Sequence, residues 1–373
     1  MISKNTACVF IAFLAATAVR LANAQVKTEV PASVAGAKAV TLEKIRVHSS
    51  ALEKNLDGDS ADREVLVYLP PSYRDNPRRR YPVVYALHGY SIGAEQWTQE
   101  IHVPQTVEGA FALGTPEMIL VLPDSKTIYG GSIYSSSVTT GDFETFIAHD
   151  LVNYIDAHYR TIARRIARGL VGHSMGGYGT TRIGMKHPDV FGSIYIMSPG
   201  LLSPHPAQLA RMGGTDAPEV AESNFEAAVS AMHSPQDLSG LSMSGRAQLA
   251  VAAAWSPNPN NPPLYLDLPL KHGVVDGAVL AKWAANAPLA FIDQYAAKLR
   301  RYRVIGLDIG DQDPGLEDAK ALRGAIARYG ISIQFQIYSG THTSAVADRF
   351  QNHVLPFFGR TLCHLDPCLA EPR

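Results

Sequence analysis

Short apolar runs recur along this chain, separated by polar turns and by segments whose apolar positions repeat at helical spacing. Tyr81–Leu87, Met118–Leu122, Ile166–Val171, Gly192–Met197 and Arg303–Ile309 are nearly continuous apolar stretches. Stretches of that length suit strands buried on both faces, as in a parallel sheet covered by helices. Ile331–Tyr338 reads as a further strand, and Val40–Ser50 and Arg63–Leu69 as a pair ahead of them, with Asp57-Gly58 in the turn between. In Asp142–Tyr159, Phe143, Phe146, Ile147, Leu151, Tyr154 and Ile155 fall on one side of a helix. Asp142 suits its N-cap and Glu144 its first turn. Gly177–His187 (stopped by Pro188), Leu316–Tyr329 and Thr343–Phe358 read as helices too. This alternation specifies an α/β fold: a mostly parallel central sheet with helices on both faces.

One interval breaks the pattern. Residues 199–300 are rich in proline, with helical pieces expected near Pro218–His233 and Val279–Leu299. They form an insertion over the sheet edge, read either as a lid or as an ordinary structural excursion. The expected organisation is a leader at 1–24, a flexible lead at 25–39, one domain at 40–362 and a tail at 363–373.

Composition narrows the partners. Of 373 residues 46% are hydrophobic, enough for a large single core. Lys and Arg total 33 against 34 Asp and Glu, so no basic excess calls for nucleic acid. Arg78-Arg79-Arg80 lacks interleaved aromatics and reads as a solvated turn. Lys4, the apolar run Ala7–Val19 and Ala22-Asn23-Ala24 have the layout of a secretory signal, giving a mature chain from Gln25 that is exported to periplasm or medium. The run is too short to be a comfortable membrane span, and no stable membrane insertion is expected. Cys363 and Cys368 are the cysteines outside that signal. An exported pair reads as a small disulfide loop. The rival is a metal site with His364, one ligand short of a closed zinc site.

The chemistry centres on Gly172-His173-Ser174-Met175-Gly176, which matches G-x-S-x-G between an expected strand and an expected helix. Such a turn exposes the serine at the carboxyl edge of the sheet, and small residues let the backbone pass closely. A serine hydroxyl needs a histidine base, and that histidine an acidic partner. His342 follows the strand Ile331–Tyr338 and is the base candidate among 13 histidines, with His353 the nearest rival. Asp313 and Asp311, after Arg303–Ile309, compete for the acid. Loops at carboxyl ends of parallel strands are where ligands bind. The N–H groups of Met175 and of Tyr90, in His88-Gly89-Tyr90-Ser91, are the candidate oxyanion donors. His88 is assigned a structural part. Trp97, Tyr129 and Tyr134, with Trp255 and Trp283 in the insertion, are either substrate-pocket aromatics or core cover.

Leu87-His88-Gly89, Gly172-His173-Ser174-Met175-Gly176-Gly177, Gly310-x-x-Asp313 and Gly340-x-His342 together resemble the esterase family of α/β-hydrolases that includes esterase D, bacterial feruloyl esterases and the antigen 85 mycolyltransferases. Gly141–Ile147 and Tyr154–Thr161 also resemble that family's helix before the elbow strand. The resemblance covers about Val65–Ser198 and Val304–Phe358, and the insertion departs from it. It implies an α/β-hydrolase fold and serine-dependent acyl transfer to water, without metal or organic cofactor. It also favours Asp313, three positions after its glycine. The expected partner is a neutral small-molecule or polysaccharide-linked ester, aromatic or short in its acyl part. An acyltransferase uses the same residues, and a non-catalytic binding protein on the same fold would have lost one of them.

Overall fold

The computed structural model describes residues 25–203, 225, 227–271, 274–365 and 368. The expected leader, much of the C-terminal tail and the first part of the expected helix near Pro218–His233 lie outside the described residues. Eight strands form the central sheet: β1 (Thr41–His48), β2 (Asp62–Leu69), β3 (Val83–Leu87), β4 (Ile119–Pro123), β5 (Arg168–His173), β6 (Ser193–Met197), β7 (Ile305–Gly310) and β8 (Ile333–Tyr338). Their spatial order is β1-β2-β4-β3-β5-β6-β7-β8. β2 runs antiparallel to both of its neighbours, and the pairings from β4 to β8 are parallel. This is the α/β-hydrolase fold.

Each apolar run read as a two-face strand is one. β3, β4, β6 and β7 are buried at every position. β8, at the sheet edge, alternates partly buried Ile333 and Phe335 with exposed Gln334 and Gln336. Two separate apolar layers flank the sheet. The amphipathic helix at 143–158 opens with the expected cap: Asp142 Oδ1 accepts the Thr145 N–H at 3.0 Å. Its middle turn, Phe146–Asp150, is π-helical. Two helices precede β4, α1 (Ala94–Glu100) and α2 (Val103–Ala112), where the sequence reading placed no element. Counting on, we call the helix at 143–158 α3 and the helix Met175–Lys186 α4.

The lead at 25–39 has no regular element, but it is not loose. The N–H groups of Gln25 and Val26 bond the Glu100 carboxylate at 3.0 and 2.8 Å, and Glu29 N–H bonds the Ser344 carbonyl at 2.8 Å. Backbone donors that find partners on the body dock a segment that lacks periodicity.

Much of the described part of the insertion packs into the core. Helix α5 (Met243–Trp255) is buried over most of its length, and α6 (Gly277–Asn286) packs beside it. Trp255 stands edge-on to Trp283 at 5.9 Å and tilts over Tyr178 of α4 at 5.5 Å. The indole N–H groups are satisfied by Ser135 Oγ and Ser256 Oγ. Burying each indole stabilises the docked insertion by roughly 4–6 kcal/mol before entropic costs. Below them, Glu144 gathers Arg182 (2.7 Å), Lys186 (2.9 Å) and His187 (3.3 Å), and Arg182 donates on to Asn286 Oδ1 at 2.8 Å. Helix α3, the elbow helix α4 and the insertion therefore share one buried polar knot.

Burial alone would raise the Glu144 carboxyl, but the His187 bond and the charges of Arg182 and Lys186 outweigh it and bring it down to about 2 from 4.5. A carboxylate depressed in this way stabilises the fold above its unfolded pKa and loses that contribution as pH falls through the folded one. Glu144→Gln should cost about 3 kcal/mol at pH 7. The gap to the unmutated protein should close as pH drops from about 4.5 toward 2. Urea unfolding at a series of pH values checks both, and a gap independent of pH would remove the electrostatic account.

Candidate active site

The turn from β5 into α4 sets the geometry. Ser174 has φ 60° and ψ −114°, a conformation side chains rarely adopt. It is held from several sides: Ser174 N–H bonds the Met197 carbonyl at 3.1 Å, and its own carbonyl accepts from Tyr178 and Gly200. The flanking glycines are required by contact. A Cβ on Gly176 would lie 2.1 Å from the Leu87 carbonyl oxygen, and one on Gly172 would lie 2.2 Å from the Gly176 oxygen.

Three strand ends converge there. His342, after β8, has Nε2 2.8 Å from Ser174 Oγ and Nδ1 2.7 Å from Asp313 Oδ2. The Nδ1 proton donated to the carboxylate leaves Nε2 to accept from the serine hydroxyl. Asp313, after β7, is buried, and its Oδ1 accepts the Gly315 N–H at 2.8 Å. One oxygen thus closes the turn into the next helix, α7 (Leu316–Arg328), while the other holds the imidazole. Burial pushes the Asp313 carboxyl up, but the bond and charge of His342 and the donors Gly315 N–H and Ser198 Oγ hold it below the usual carboxylate range. Asp311 has a different task. It is exposed, and its Oδ1 accepts the Gly340 N–H at 2.9 Å, pinning the loop that carries His342. His353 lies in the helical segment at 346–361 and is not a member of this chain of bonds.

Gly89, after β3, lies against the serine: a Cβ there would sit 3.5 Å from Ser174 Cβ. Its neighbour Tyr90 spans Gly130 and bonds the Tyr129 carbonyl through its hydroxyl at 2.9 Å. Among the described residues the Tyr90 N–H has no acceptor. Met175 N–H, at the first position of α4, has no carbonyl one helical turn back to bond. His88 is structural, with Nδ1–H donated to the Gly89 carbonyl and Nε2 accepting Ser125 N–H, both at 2.8 Å. Burial holds its basicity down.

The pocket aromatics need correction. Trp97, Tyr129 and Tyr134 are fully buried, and Trp255 and Trp283 nearly so. Trp97 sits in the layer on the far side of the sheet from α4, edge-on to Phe350. Tyr129 donates to the Leu264 carbonyl and Tyr134 to the His88 carbonyl. Tyr129, Tyr134 and Trp255 fasten the body to its loops and insertion, Trp97 and Trp283 pack within their own layers, and all five rings are buried. Two residues the sequence reading passed over belong to the site. Ser198, just after β6 with φ 37°, bonds Tyr338 Oη at 3.3 Å and helps hold the Asp313 carboxyl down, and His173 reaches the backbone of His342 at 2.8 Å. His173 occupies the unspecified position of the motif, where no pattern rule points inward.

Cys363 and Cys368 are joined by a disulfide, with Cα atoms 6.0 Å apart. Among the described residues, no helix is long and apolar enough to cross a membrane.

The chain belongs to the family described as "Putative esterase", whose model matches residues 60–352. It is 29% identical over 148 residues to an endo-1,4-beta-xylanase/feruloyl esterase of Xylanibacter ruminicola, a match covering 37% of this chain and 20% of that one. It is 33% identical over 131 residues to an esterase of Mycobacterium tuberculosis, covering 35% and 27%. The matched stretches thus span about a fifth to a quarter of these relatives. A solved ferulic acid esterase superposes with a TM-score of 0.60 at 22% identity, covering 87% of this chain and 99% of its own, a likeness of fold.

Gly176→Ala tests the elbow's packing. Because its new methyl meets a main-chain oxygen rather than a side chain, the substitution should cost at least about 3 kcal/mol. Unfolding midpoints and soluble yield measure it, and a stable Gly176→Ala protein would mean that the approach to Leu87 is looser than 2.1 Å implies.

Proposed function

We propose that this protein is a serine carboxylic ester hydrolase working through Ser174, His342 and Asp313 and an acyl-enzyme. The continuous hydrogen-bonded line from Ser174 Oγ through His342 to Asp313 carries the reading. His342 Nε2 takes the hydroxyl proton as Ser174 Oγ attacks the ester carbonyl. Asp313 steadies the imidazolium that forms. The N–H groups of Met175 and Tyr90 receive the oxyanion. His342 then protonates the departing alcohol, the Oγ–acyl bond remains, and water deprotonated by His342 releases the acid and restores the serine.

The substrate class takes its support from the names of relatives, several of them feruloyl esterases. Buried aromatics lend it none. A neutral ester linked to a sugar or small alcohol fits a chain of formal net charge −1. Export is part of the same proposal, supported by the signal-like first 24 residues and the cysteine pair.

Hydrolysis of p-nitrophenyl acetate and methyl ferulate should fall at least about 10³-fold in kcat in Ser174→Ala and His342→Ala, and about 10²- to 10⁴-fold in Asp313→Asn. Asp311→Asn, which keeps an oxygen for Gly340 N–H, should stay within about threefold. Equal activity in Ser174→Ala would sink the assignment. Turnover only with an added alcohol acceptor would make the protein an acyltransferase. On expression in a bacterial host the protein should appear in the periplasm or medium with Gln25 as its first residue, and retention in the cytoplasm with the leader intact would remove the export proposal.

A further inference from the structure

We infer that His173 is a positioning residue for the base: its Nε2–H, donated to the main-chain carbonyl of His342, fixes where the catalytic imidazole stands relative to Ser174. The inference rests on the esterase reading above.

The bond is 2.8 Å long and joins positions 169 residues apart. His173 is the last residue of β5 and adjoins the nucleophile, so its main chain is fixed by the sheet and pairs in register with Met197 of β6. His342, in contrast, lies on a loop beyond the edge strand β8. That loop is braced by Asp311 at Gly340 and by Ser344 Oγ, which accepts the Thr341 N–H at 2.9 Å. Neither brace touches His342 itself. The His173 bond does, and it refers the base directly to the strand that carries the nucleophile. A strand end thus positions a loop.

The chemical state of His173 follows from its surroundings. A carbonyl can only accept, so Nε2 must carry the proton. Nδ1 is then a bare acceptor. It is buried, has no donor among the described residues, and faces Gly89, where a Cβ would lie 3.8 Å away. Leaving such an atom unpaired costs about 1–3 kcal/mol. A leucine of similar size would avoid that cost and fill the same space. What a leucine lacks is the Nε2–H. Burial, and next the charge His342 can carry, push the His173 imidazole down to about 3, so it remains neutral over the working range. Its ring lies 4.9 Å from that of His342, close enough to hold it by contact as well.

The test contrasts two amides. In His173→Gln the amide nitrogen falls near the position of Nε2 and can still reach the His342 carbonyl. In His173→Asn it falls near Nδ1 and cannot. We expect kcat on p-nitrophenyl acetate to fall about 10- to 100-fold in His173→Asn, the penalty of a displaced catalytic group, with KM within about twofold. His173→Gln should recover to within about fivefold of the unmutated enzyme. Equal kcat in the two variants, or a loss confined to KM, overturns the inference. Failure of the esterase reading looks different: the unmutated protein would not turn over, or Ser174→Ala would match it. If either amide variant does not fold, ¹⁵N spectra of histidine-labelled unmutated protein decide. His173 should be a neutral Nε2–H tautomer that does not titrate between about pH 5 and pH 8. An unprotonated Nε2, or titration in that window, overturns the inference without reference to activity.

Discussion

The close passage of main chain against main chain at the nucleophile turn is the constraint on which the site depends. Ser174 occupies a backbone conformation that costs on the order of 1–3 kcal/mol. That cost is offset because the Leu87 carbonyl, the Gly176 Cα and the Met197 carbonyl lie in one tight stack that admits no other path. The same stack brings β3, β5 and β6 to a common edge. Gly89, Ser174 and Ser198 are therefore placed by one feature rather than three. The nucleophile's exposure and the proximity of the oxyanion candidates are two readings of a single packing solution.

The parallel register does the rest. β5, β6, β7 and β8 are consecutive neighbours, so the residues just beyond their carboxyl ends fall in a row. Ser174, Ser198, Asp313 and His342 are those residues. Sequence separations of up to 168 residues collapse to hydrogen-bond distances because each loop leaves its strand at the same height. The insertion between β6 and β7 does not disturb this row. Its Trp255 indole seats on Tyr178 and on the loop after β4, and the Glu144–Arg182–Asn286 knot ties it to the back of α4. The insertion thus reinforces the helix that begins at the nucleophile.

What could be read from the sequence follows the same physics. Strands buried on both faces announce themselves as apolar runs, and a strand–turn–helix around a serine announces itself by its glycines. Asp313 and Asp311 could be ordered only by resemblance. Three dimensions separate them because one points along the sheet edge to His342 and the other back to Gly340. Helix α5 was missed because its Leu249–Ala254 stretch is apolar all round, with no period to detect. The choice between pocket and core for the aromatics stays open in the sequence for a related reason: an aromatic near the right edge looks the same there whether it faces a ligand or plugs the core. Trp97, Tyr129 and Tyr134 all plug the core. Docking of the lead on Glu100 and Ser344 left no pattern, since main-chain donors have no side-chain signature.

Burial grades the polar groups of the site by what each has to do. Asp313's side chain is 2% exposed and His342's is 35% exposed. The carboxylate is shielded, so its charge acts on the imidazole through little solvent, whereas the imidazole reaches the surface. Beneath both lies a second imidazole, that of His173, with its ring centre 4.9 Å from the first. Two imidazolium ions at that separation would repel by about 3 kcal/mol at an effective dielectric constant near 20. Such repulsion would oppose the charge that the proposed attack by Ser174 places on His342. Burial removes the conflict by keeping His173 neutral, so in the proposed mechanism one ring moves a proton while the other keeps its charge. In the proposed arrangement, position 173 combines low basicity with a donor toward the His342 carbonyl. A buried histidine satisfies both requirements, at the cost of one unpaired nitrogen.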